Sequence, residues 1–270
     1  MRDLTELLTN LRPAVTLDRA ALDIARLEYP DLDPEPWIQR LDAIAAEIGR
    51  RVRSTAPGEE FIDAANRFLF GELGLRGNER HYYDARNSCL NDVLDRRLGL
   101  PITLSVIYIE VARRLGRTVH GIGLPSHFVV QYDDGRFSTY LDPFHGGEAL
   151  TRSECAGMIL ELTGAEPSAS AWEPCTPKQI ALRMLQNLKG VYVANGSYDR
   201  ALQAIDLIVS GGSFAAGEYK QRGVVLLQLR RYRAAMAELE RYLKAAPEAA
   251  DRSDVVQQIE AIHRYLGALN

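Results

Sequence analysis

A repeat with a period of 34 residues near the C-terminal end most constrains what this chain can fold into. The residue pairs that match at this shift are Tyr192 and Leu226, Tyr198 and Tyr232, Ala201 and Ala235, and Ile205 and Leu239. A fixed period of this length predicts helical units that stack, because one unit cannot bury its apolar face alone. We therefore expect antiparallel helices over residues 178–267, of which the last, 252–267, covers the end of the stack.

This repeat resembles the tetratricopeptide repeat. The second copy has Gly223 and Pro247 where that family has its packing glycine and its terminal proline. The first copy has Lys189 and Ser213 at those places. The resemblance implies an all-α helical repeat module over residues 178–270, and two unrelated antiparallel helix pairs are the alternative interpretation.

Helical periodicity also dominates the first part of the chain, where apolar residues recur at steps of three and four. The pattern predicts helices over residues 18–28, 35–53 and 59–73. Two further helices are predicted to meet at Gly99-Leu100-Pro101. Ser88 can cap the first of these and Gly99 can end it. Pro101 suits the first turn of the second, which runs to Leu115.

One small antiparallel sheet is predicted after these helices. β-Branched and aromatic residues run on both sides of Asp134-Gly135, which is typical of a hairpin. A further helix is predicted over 151–163. The segment 166–177 lacks periodicity, so we interpret it as a linker between a first domain, 1–165, and the repeats, 178–270. The expected fold class is α+β, helix-rich, followed by an all-α repeat module.

Composition excludes several classes of protein. Apolar residues make up 46% and charged residues 25% of the chain, which is typical of a globular protein and not of a disordered one. The 32 basic and 36 acidic side chains give a net charge of -4, which offers no general attraction to nucleic acid or to anionic lipid. We therefore expect neither nucleic acid nor a membrane as a partner.

The expected location is the cytoplasm. The first residues lack the apolar core of a secretory signal, and no stretch approaches the roughly 18 apolar residues of a membrane span. Cys89, Cys155 and Cys175 are an odd number without C-x-x-C spacing, so neither a disulfide framework nor a zinc site is predicted. We expect Cys155 and Cys175 to be inert.

Two side chains at strand ends could form a catalytic pair. His127 opens an apolar strand, and Asp142 ends the next strand. Antiparallel neighbours can bring the two together, and we expect the carboxylate to accept a hydrogen bond from the imidazole. Such a pair is the base and orienter of nucleophilic catalysis. A purely structural hydrogen bond is the alternative.

The order of these motifs resembles the transglutaminase-like, papain-type cysteine fold. More narrowly, four stretches resemble the bacterial SirB-type family of transglutaminase-like proteins with C-terminal tetratricopeptide repeats: ALDIARLEYPDLDPEPWIQRLD, YYDARNSCLNDVLDRRLGLPITLSVIYIEVARRLG, GIGLPSHFVV and LDPFHGG. The resemblance implies that His127 and Asp142 are site residues. It also implies a catalytic cysteine at the N-terminus of the central helix.

The position that the resemblance assigns to that cysteine holds Pro101, which has no nucleophilic atom. Cys89 is the other candidate nucleophile, because it follows the expected cap Ser88 and a helix N-terminus favours a thiolate. The apolar side of the helix that it opens favours a buried small hydrophobe instead. Thr103 and Ser105 are expected to bond the carbonyl four residues back.

Further residues could line a cleft beside the pair. The candidates are Tyr83, Asn87, Pro101 and His145. The polar, aromatic run 81–86 either lines a groove or pins its loop by hydrogen bonds, and we favour pinning. His120 and His145 fit no metal-binding spacing, and GIGLPS is an incomplete phosphate loop, so we expect neither a metal nor a cofactor.

Three functional hypotheses follow. The first is a degenerate transglutaminase-like pseudoenzyme that binds a protein or peptide partner. The second is a cysteine hydrolase or acyltransferase that uses Cys89, His127 and Asp142. The third is a structural regulator in which the His–Asp pair only ties strands together.

Overall fold

The chain divides into two compact units, Met1–Met184 and Leu185–Asn270. The computed structural model describes residues 1–9, 15–212 and 215–268. None of the helices in this described part is long and apolar enough to cross a membrane. The expected fold class is confirmed, because a helix-rich α+β unit with a small antiparallel sheet precedes a helical repeat.

Helices dominate the first unit. In the described residues they are α1 (Arg2–Leu8), α2 (Leu17–Ala25), α3 (Glu35–Arg51), α4 (Gly58–Asn66), α5 (Leu90–Arg96), α6 (Pro101–Arg114), α7 (Arg152–Thr163) and the first part of α8 (Pro177–Ala194). The apolar residues from which α3 was predicted include Leu41, Ile44 and Ile48. These three are buried on one face of the helix. Helix α6 is buried along almost its whole length and packs on α2, α3 and the sheet, so it forms the centre of the unit.

The helix predicted over 59–73 is not a single α-helix. Helix α4 ends at Asn66, and the chain continues as a wider π-helical turn over Arg67–Glu72. The ring of Phe70 in this turn stacks on Tyr108 of α6, with 6.2 Å between ring centroids. The wide turn therefore fixes the end of α4 against the central helix.

The two helices predicted around Gly99-Leu100-Pro101 are present, but the ends of the first differ. Helix α6 starts at Pro101 as expected. Helix α5 is capped by Cys89 instead of Ser88, because the Ser88 backbone closes a preceding 3-10 turn. It ends at Arg96, and the residue that follows it, Arg97, has a φ of 62°. Gly99 instead joins a short parallel pair with Gly77, and a side chain on it would come within 2.9 Å of Val93.

Seven short strands lie in the first unit, within the residues described. They are β1 (Arg76–Gly77), β2 (Leu98–Gly99), β3 (Val119–Ile122), β4 (Val129–Asp133), β5 (Ser138–Asp142), β6 (Glu148–Leu150) and β7 (Pro174–Cys175). Strands β3 to β7 form an antiparallel sheet in the order β6-β5-β4-β3-β7. The hairpin predicted at Asp134-Gly135 joins β4 and β5, whose register pairs Val130 with Leu141.

The segment 166–177, interpreted from the sequence as a linker, is built into the first unit. It supplies the edge strand β7, which pairs with β3. Trp172 in the same segment packs edge-on against Tyr140 of β5, with 5.4 Å between ring centroids. The division between the units falls later, inside helix α8. The apolar side chains in this short segment give no periodic signal, because each fills a separate place against the sheet.

The second unit is the helical repeat. Its helices, in the described residues, are the last part of α8 followed by α9 (Tyr198–Ser210), α10 (Gly217–Gln228), α11 (Tyr232–Ala245) and α12 (Arg252–Gly267). Tyr198 and Tyr232 begin equivalent helices, as expected. Ala201 and Ala235 are both fully buried. Position Ser213 lies outside the described residues.

The residue that departs from the repeat pattern in the first copy has a structural role. Lys189 is 7% exposed, and its Nζ bonds both carboxylate oxygens of Glu218 at 2.8 and 2.9 Å. Gly223, at the equivalent place in the second copy, lies against Leu239, and a Cβ there would come within 2.8 Å of that side chain. One copy therefore packs closely through a glycine, and the other fills the position with a buried ion pair.

Candidate functional site

The turn GIGLPSH positions the first candidate residue, His127. Ser126 has a φ of 58°, a left-handed conformation that L-residues rarely adopt and that often occurs at functional sites. Nη2 of Arg183 donates to the carbonyl oxygens of Leu124 at 2.5 Å and His127 at 2.7 Å. The guanidinium also lies 5.5 Å from the centroid of the Phe128 ring. Arg183 therefore fixes the backbone of the turn, and no local pattern in the sequence indicated this role.

The motif LDPFHGG positions the second candidate residue, Asp142, at the end of β5. Oδ1 of Asp142 accepts hydrogen bonds from the backbone N–H of Phe144 at 2.9 Å and of His145 at 3.4 Å. These bonds close the 3-10 turn Pro143–His145, which starts with a proline that needs no N–H partner. The other oxygen, Oδ2, is left to face the imidazoles.

The hydrogen bond expected between His127 and Asp142 is present, and His145 joins it. Oδ2 of Asp142 lies 2.8 Å from Nε2 of His127 and 2.8 Å from Nδ1 of His145. Asp142 is 1% exposed and His127 6%, whereas the side chain of His145 is 46% exposed. Burial alone would raise the pKa of Asp142, but the hydrogen bonds and charges of the two histidines hold it below its ordinary value. An ionised carboxylate only accepts hydrogen bonds, so each imidazole donates to it.

Aromatic rings connect this cluster to the surface. Phe144 lies edge-on to His127, with 6.2 Å between centroids, and edge-on to Tyr82, with 6.3 Å. Tyr82 in turn meets Tyr83 at 5.5 Å, and Tyr83 is 71% exposed. The rings therefore link the buried imidazole of His127 to the exposed ring of Tyr83.

A cleft of about 700 Å³ borders the exposed side of the cluster. It is lined by residues 76–81, Leu98, Phe144, His145 and Gly146. Within the described part of the chain, neither Arg76 nor Arg80 takes part in an ion pair. The ionisable residues that line this cleft are therefore two arginines, Arg76 and Arg80, two histidines, His81 and His145, and one acid, Glu79.

The candidate nucleophile Cys89 is not a member of the cluster that His127, Asp142 and His145 form. Its side chain is fully buried, and Sγ donates a hydrogen bond to the carbonyl oxygen of Ala85 at 3.6 Å. This placement matches the interpretation of Cys89 as a buried small hydrophobe. Cys155 is also buried, in an apolar cluster, and burial raises its pKa to about 11. Burial likewise raises the pKa of Cys175.

The remaining sequence candidates have mainly structural places. Asn87 is fully buried, and its Nδ2 donates to the carbonyl oxygens of His81 at 2.7 Å and Tyr82 at 3.2 Å. Asn78 donates to its Oδ1 at 2.9 Å. These bonds pin the loop 78–87, as favoured from the sequence. Pro101 is buried in the first turn of α6, so neither it nor Asn87 faces the cleft.

One expectation from the sequence is wrong. The hydroxyls of Thr103 and Ser105 were expected to bond the carbonyl four residues back, but both are buried without a hydrogen-bond partner in the described part of the chain. The expectation that no metal binds stays a prediction, although His127, Asp142 and His145 bring three potential ligand atoms within 4.8 Å of one another. The signal that could have shown this grouping is the i, i+3 spacing of Asp142 and His145 in a turn.

The fold and the site define the class of protein. A central helix packed on an antiparallel sheet, with a histidine and an aspartate joined at the strand ends, is a transglutaminase-like domain, and a helical repeat follows it. The chain belongs to the transglutaminase-like superfamily, whose family model matches residues 35–186. A tetratricopeptide repeat model matches residues 188–260. These matches confirm the resemblance stated from the sequence.

Proteins similar to this chain occur in bacteria and in the mouse. A UPF0162 protein of Xylella fastidiosa is 38% identical over 234 residues, which cover 84% of this chain and 83% of that protein. A UPF0162 protein of Pseudomonas aeruginosa is 26% identical over 245 residues, which cover 90% of this chain and 89% of that protein. F-box only protein 21 of Mus musculus is 32% identical over 184 residues, 64% of this chain and 28% of that protein. No solved structure matches the chain significantly.

Proposed function

We propose that this protein is a degenerate transglutaminase-like protein that binds a protein or peptide partner in the cleft beside His145. The observation that carries the proposal is the residue at the first turn of α6. That position holds Pro101, and its ring carbons cannot attack a carbonyl, whereas acyl transfer in this fold requires a thiolate there. Loss of the nucleophile removes turnover but leaves the cleft.

The chemistry of the cleft supports a peptide ligand with acidic groups. Arg76 and Arg80 are exposed along one wall, and a guanidinium binds a carboxylate through two parallel hydrogen bonds. Tyr83, a cleft candidate from the sequence, is exposed but is not among the residues that line this cleft. Tetratricopeptide repeats generally bind proteins, so the second unit offers a further surface of the same kind.

The other two hypotheses are less well supported. A cysteine hydrolase needs Cys89 within hydrogen-bond reach of His127, but Cys89 is buried and bonds Ala85. A purely structural His–Asp tie leaves Arg76 and Arg80 of the cleft, which form no ion pair in the described part of the chain, without a role. A cytoplasmic location stays a prediction from the sequence.

Thiol labelling of the full chain tests whether the protein is an enzyme. We expect slow alkylation of Cys89 at neutral pH, at a rate that His127→Ala does not change. Cys155 serves as an internal reporter, because it is buried in the same unit and reacts only when that unit opens. Fast labelling of Cys89 relative to Cys155 that is lost in His127→Ala would overturn the proposal in favour of the hydrolase.

Partner binding tests the cleft. Proteins retained by the immobilised full chain should be lost from the double variant Arg76→Ala/Arg80→Ala. The matched control is Arg136→Ala, an exposed arginine of the β4–β5 hairpin that does not line the cleft. Cys89→Ser should retain the partner as well. Equal retention by the double variant and the control would show that this cleft is not the binding site.

A further inference from the structure

Asp142 holds two histidines on one oxygen atom, which is one more than a base-and-orienter pair requires. The distances from Oδ2 to Nε2 of His127 and to Nδ1 of His145 are both 2.8 Å. Orienting His127 needs only the first contact. The second contact brings another imidazole nitrogen to the same oxygen atom. Two imidazole nitrogens and a carboxylate oxygen that lie close together are a typical ligand set of a transition-metal ion.

We propose that His127, Asp142 and His145 bind a divalent transition-metal ion such as Zn²⁺. The three potential ligand atoms all lie within 4.8 Å of one another. In a tetrahedral site with metal–ligand bonds of 2.0–2.2 Å, ligand atoms are about 3.3 Å apart. The two contacts at Oδ2 are slightly shorter than this, and the two nitrogens lie within 4.8 Å of each other. An ion can therefore enter when the two rings move away from Oδ2 and bring their nitrogens to a similar spacing.

The supporting hydrogen bonds hold two of the ligands in place before any ion binds. Oδ1 of Asp142 is occupied by the backbone N–H groups of Phe144 and His145, which leaves Oδ2 as the single ligand atom. Nη2 of Arg183 donates a hydrogen bond to the backbone carbonyl oxygen of His127 at 2.7 Å and so holds the second ligand. Outer contacts of this kind orient the ligands of metal sites and strengthen binding.

The donor set selects the class of ion. Two imidazole nitrogens and one carboxylate oxygen suit Zn²⁺, Co²⁺ and related ions, whereas Mg²⁺ and Ca²⁺ prefer oxygen donors throughout. Coordination requires the lone pairs of His127 Nε2 and His145 Nδ1, so each ring must carry its proton on its other nitrogen. Solvent exchange allows this change of tautomer.

Three protein ligands leave at least one coordination position for another group. His145 is half exposed and borders the cleft, so this position is reached from that side. A water molecule or a carboxylate of a bound ligand can take it. The metal site requires only the three ligand atoms and does not depend on the proposed partner-binding function.

Titration of the full chain with Co²⁺, after treatment with a chelator and dialysis, tests the site. We expect one equivalent to bind with a visible d–d absorption band, and Zn²⁺ to displace it. His145→Ala should weaken binding at least tenfold, since it removes a ligand and outer contacts alone account for tenfold or more. Because His145 is half exposed, this variant should fold, and circular dichroism checks that it does.

His120→Ala is the matched control, because His120 lies on the neighbouring strand β3 and does not belong to the cluster. Its Co²⁺ affinity should equal that of the wild-type protein. Nitrogen NMR of the imidazoles gives a second readout: Zn²⁺ should shift the ring nitrogens of His127 and His145 and leave those of His120 unchanged. Absence of binding, or binding that His145→Ala does not weaken, would overturn the site and show a hydrogen-bonded triad only, while the partner-binding proposal would stand.

Discussion

Gly146 and Gly147 show at the scale of single residues why the motif LDPFHGG ends in two glycines. Both have positive φ, 75° and 76°, which favours glycine at each position. Their surroundings differ. A Cβ on Gly147 would lie 2.5 Å from Oδ1 of Asn66 and 2.5 Å from the ring of Phe70, whereas nothing lies within 4 Å of one on Gly146.

We therefore expect the two alanine substitutions to differ in cost. Gly146→Ala should lower the free energy of unfolding by about 1 kcal/mol, the cost of a left-handed L-residue. Gly147→Ala should cost about 1–3 kcal/mol more, because the methyl group forces Asn66 or Phe70 to move. Urea unfolding of both variants measures the difference. Equal costs would mean that Asn66 and Phe70 do not crowd Gly147 in solution.

Asp84 makes the stability of the pinned loop depend on pH. Burial would raise its pKa, but hydrogen bonds from Arg86 and the charge of Arg96 hold the pKa below its ordinary value. A carboxyl group whose pKa is lower in the folded state stabilises the fold above its unfolded pKa of about 3.9. That contribution is lost as the pH falls through the lower, folded-state pKa.

Asp84→Asn should accordingly lower the free energy of unfolding by about 1 kcal/mol at neutral pH. The difference from the wild-type protein should shrink as the pH falls below about 4. Asp31→Asn is the control, since Asp31 is exposed and, among the described residues, forms no ion pair like those of Asp84 with Arg86 and Arg96. Unfolding curves from neutral to acid pH check this, and a difference that stays constant with pH would contradict it.

At the scale of elements, periodicity predicted what long regular segments do. The pattern of apolar residues placed α3 and α12 within two residues of their observed ends. Pro101 marked the start of α6, because its fixed φ and missing N–H suit a first turn and little else in a helix.

The ends of α5 could not be predicted, because contacts distant in sequence decide them. Ser88 is a good N-cap residue in isolation, but its backbone N–H donates to the carbonyl oxygen of Ala85. Ser88 therefore ends the preceding 3-10 turn instead of starting α5. Gly99 is typical of a helix end. This position requires glycine for another reason, because a Cβ there would collide with the side chains of Val93 and Leu104. Tertiary packing therefore overrode two sound local signals.

Alanine substitutions at two glycines of the repeat should change the stability of the protein in opposite directions. A Cβ on Gly223 would lie 2.8 Å from Leu239, which is fully buried, whereas Gly190 of α8 has open space around it. Gly190→Ala should stabilise the protein by about 0.5–1 kcal/mol through helix propensity. Gly223→Ala should destabilise it, since overpacking costs about 1–3 kcal/mol. Thermal unfolding measures both, and the same sign for both would show that Gly223 is not a packing glycine.

At the scale of the whole molecule, the pair His127 and Asp142 could be predicted and its partners could not. Two antiparallel strands joined by a short hairpin bring the residues at their open ends together, so the sequence distance was informative. His145 joins them through a turn, and Arg183 reaches the same turn from a helix far along the chain. Neither contact leaves a periodic trace in the sequence.

Each of the two compact units has its own buried core. The first includes the cluster of Ile122, Leu124, Val129, Cys155 and Ile159. The second includes the cluster of Leu239, Tyr242, Val255 and Ile262. Because each unit has its own core, one unit can unfold without exposing the core of the other. We therefore expect each unit to unfold cooperatively on its own.

Hydrogen exchange on the full chain tests this with the glycine variants. Gly147→Ala should lower amide protection across the sheet and helices of the first unit and leave α9–α12 unchanged. Gly223→Ala should do the reverse, because each substitution strains only the core that surrounds it. Gly146→Ala and Gly190→Ala, which meet no neighbouring side chain, control for the change of residue itself. If either crowded variant lowered protection equally throughout the chain, the two units would unfold as one, and strain placed in the repeat would then reach the His127–Asp142 cluster.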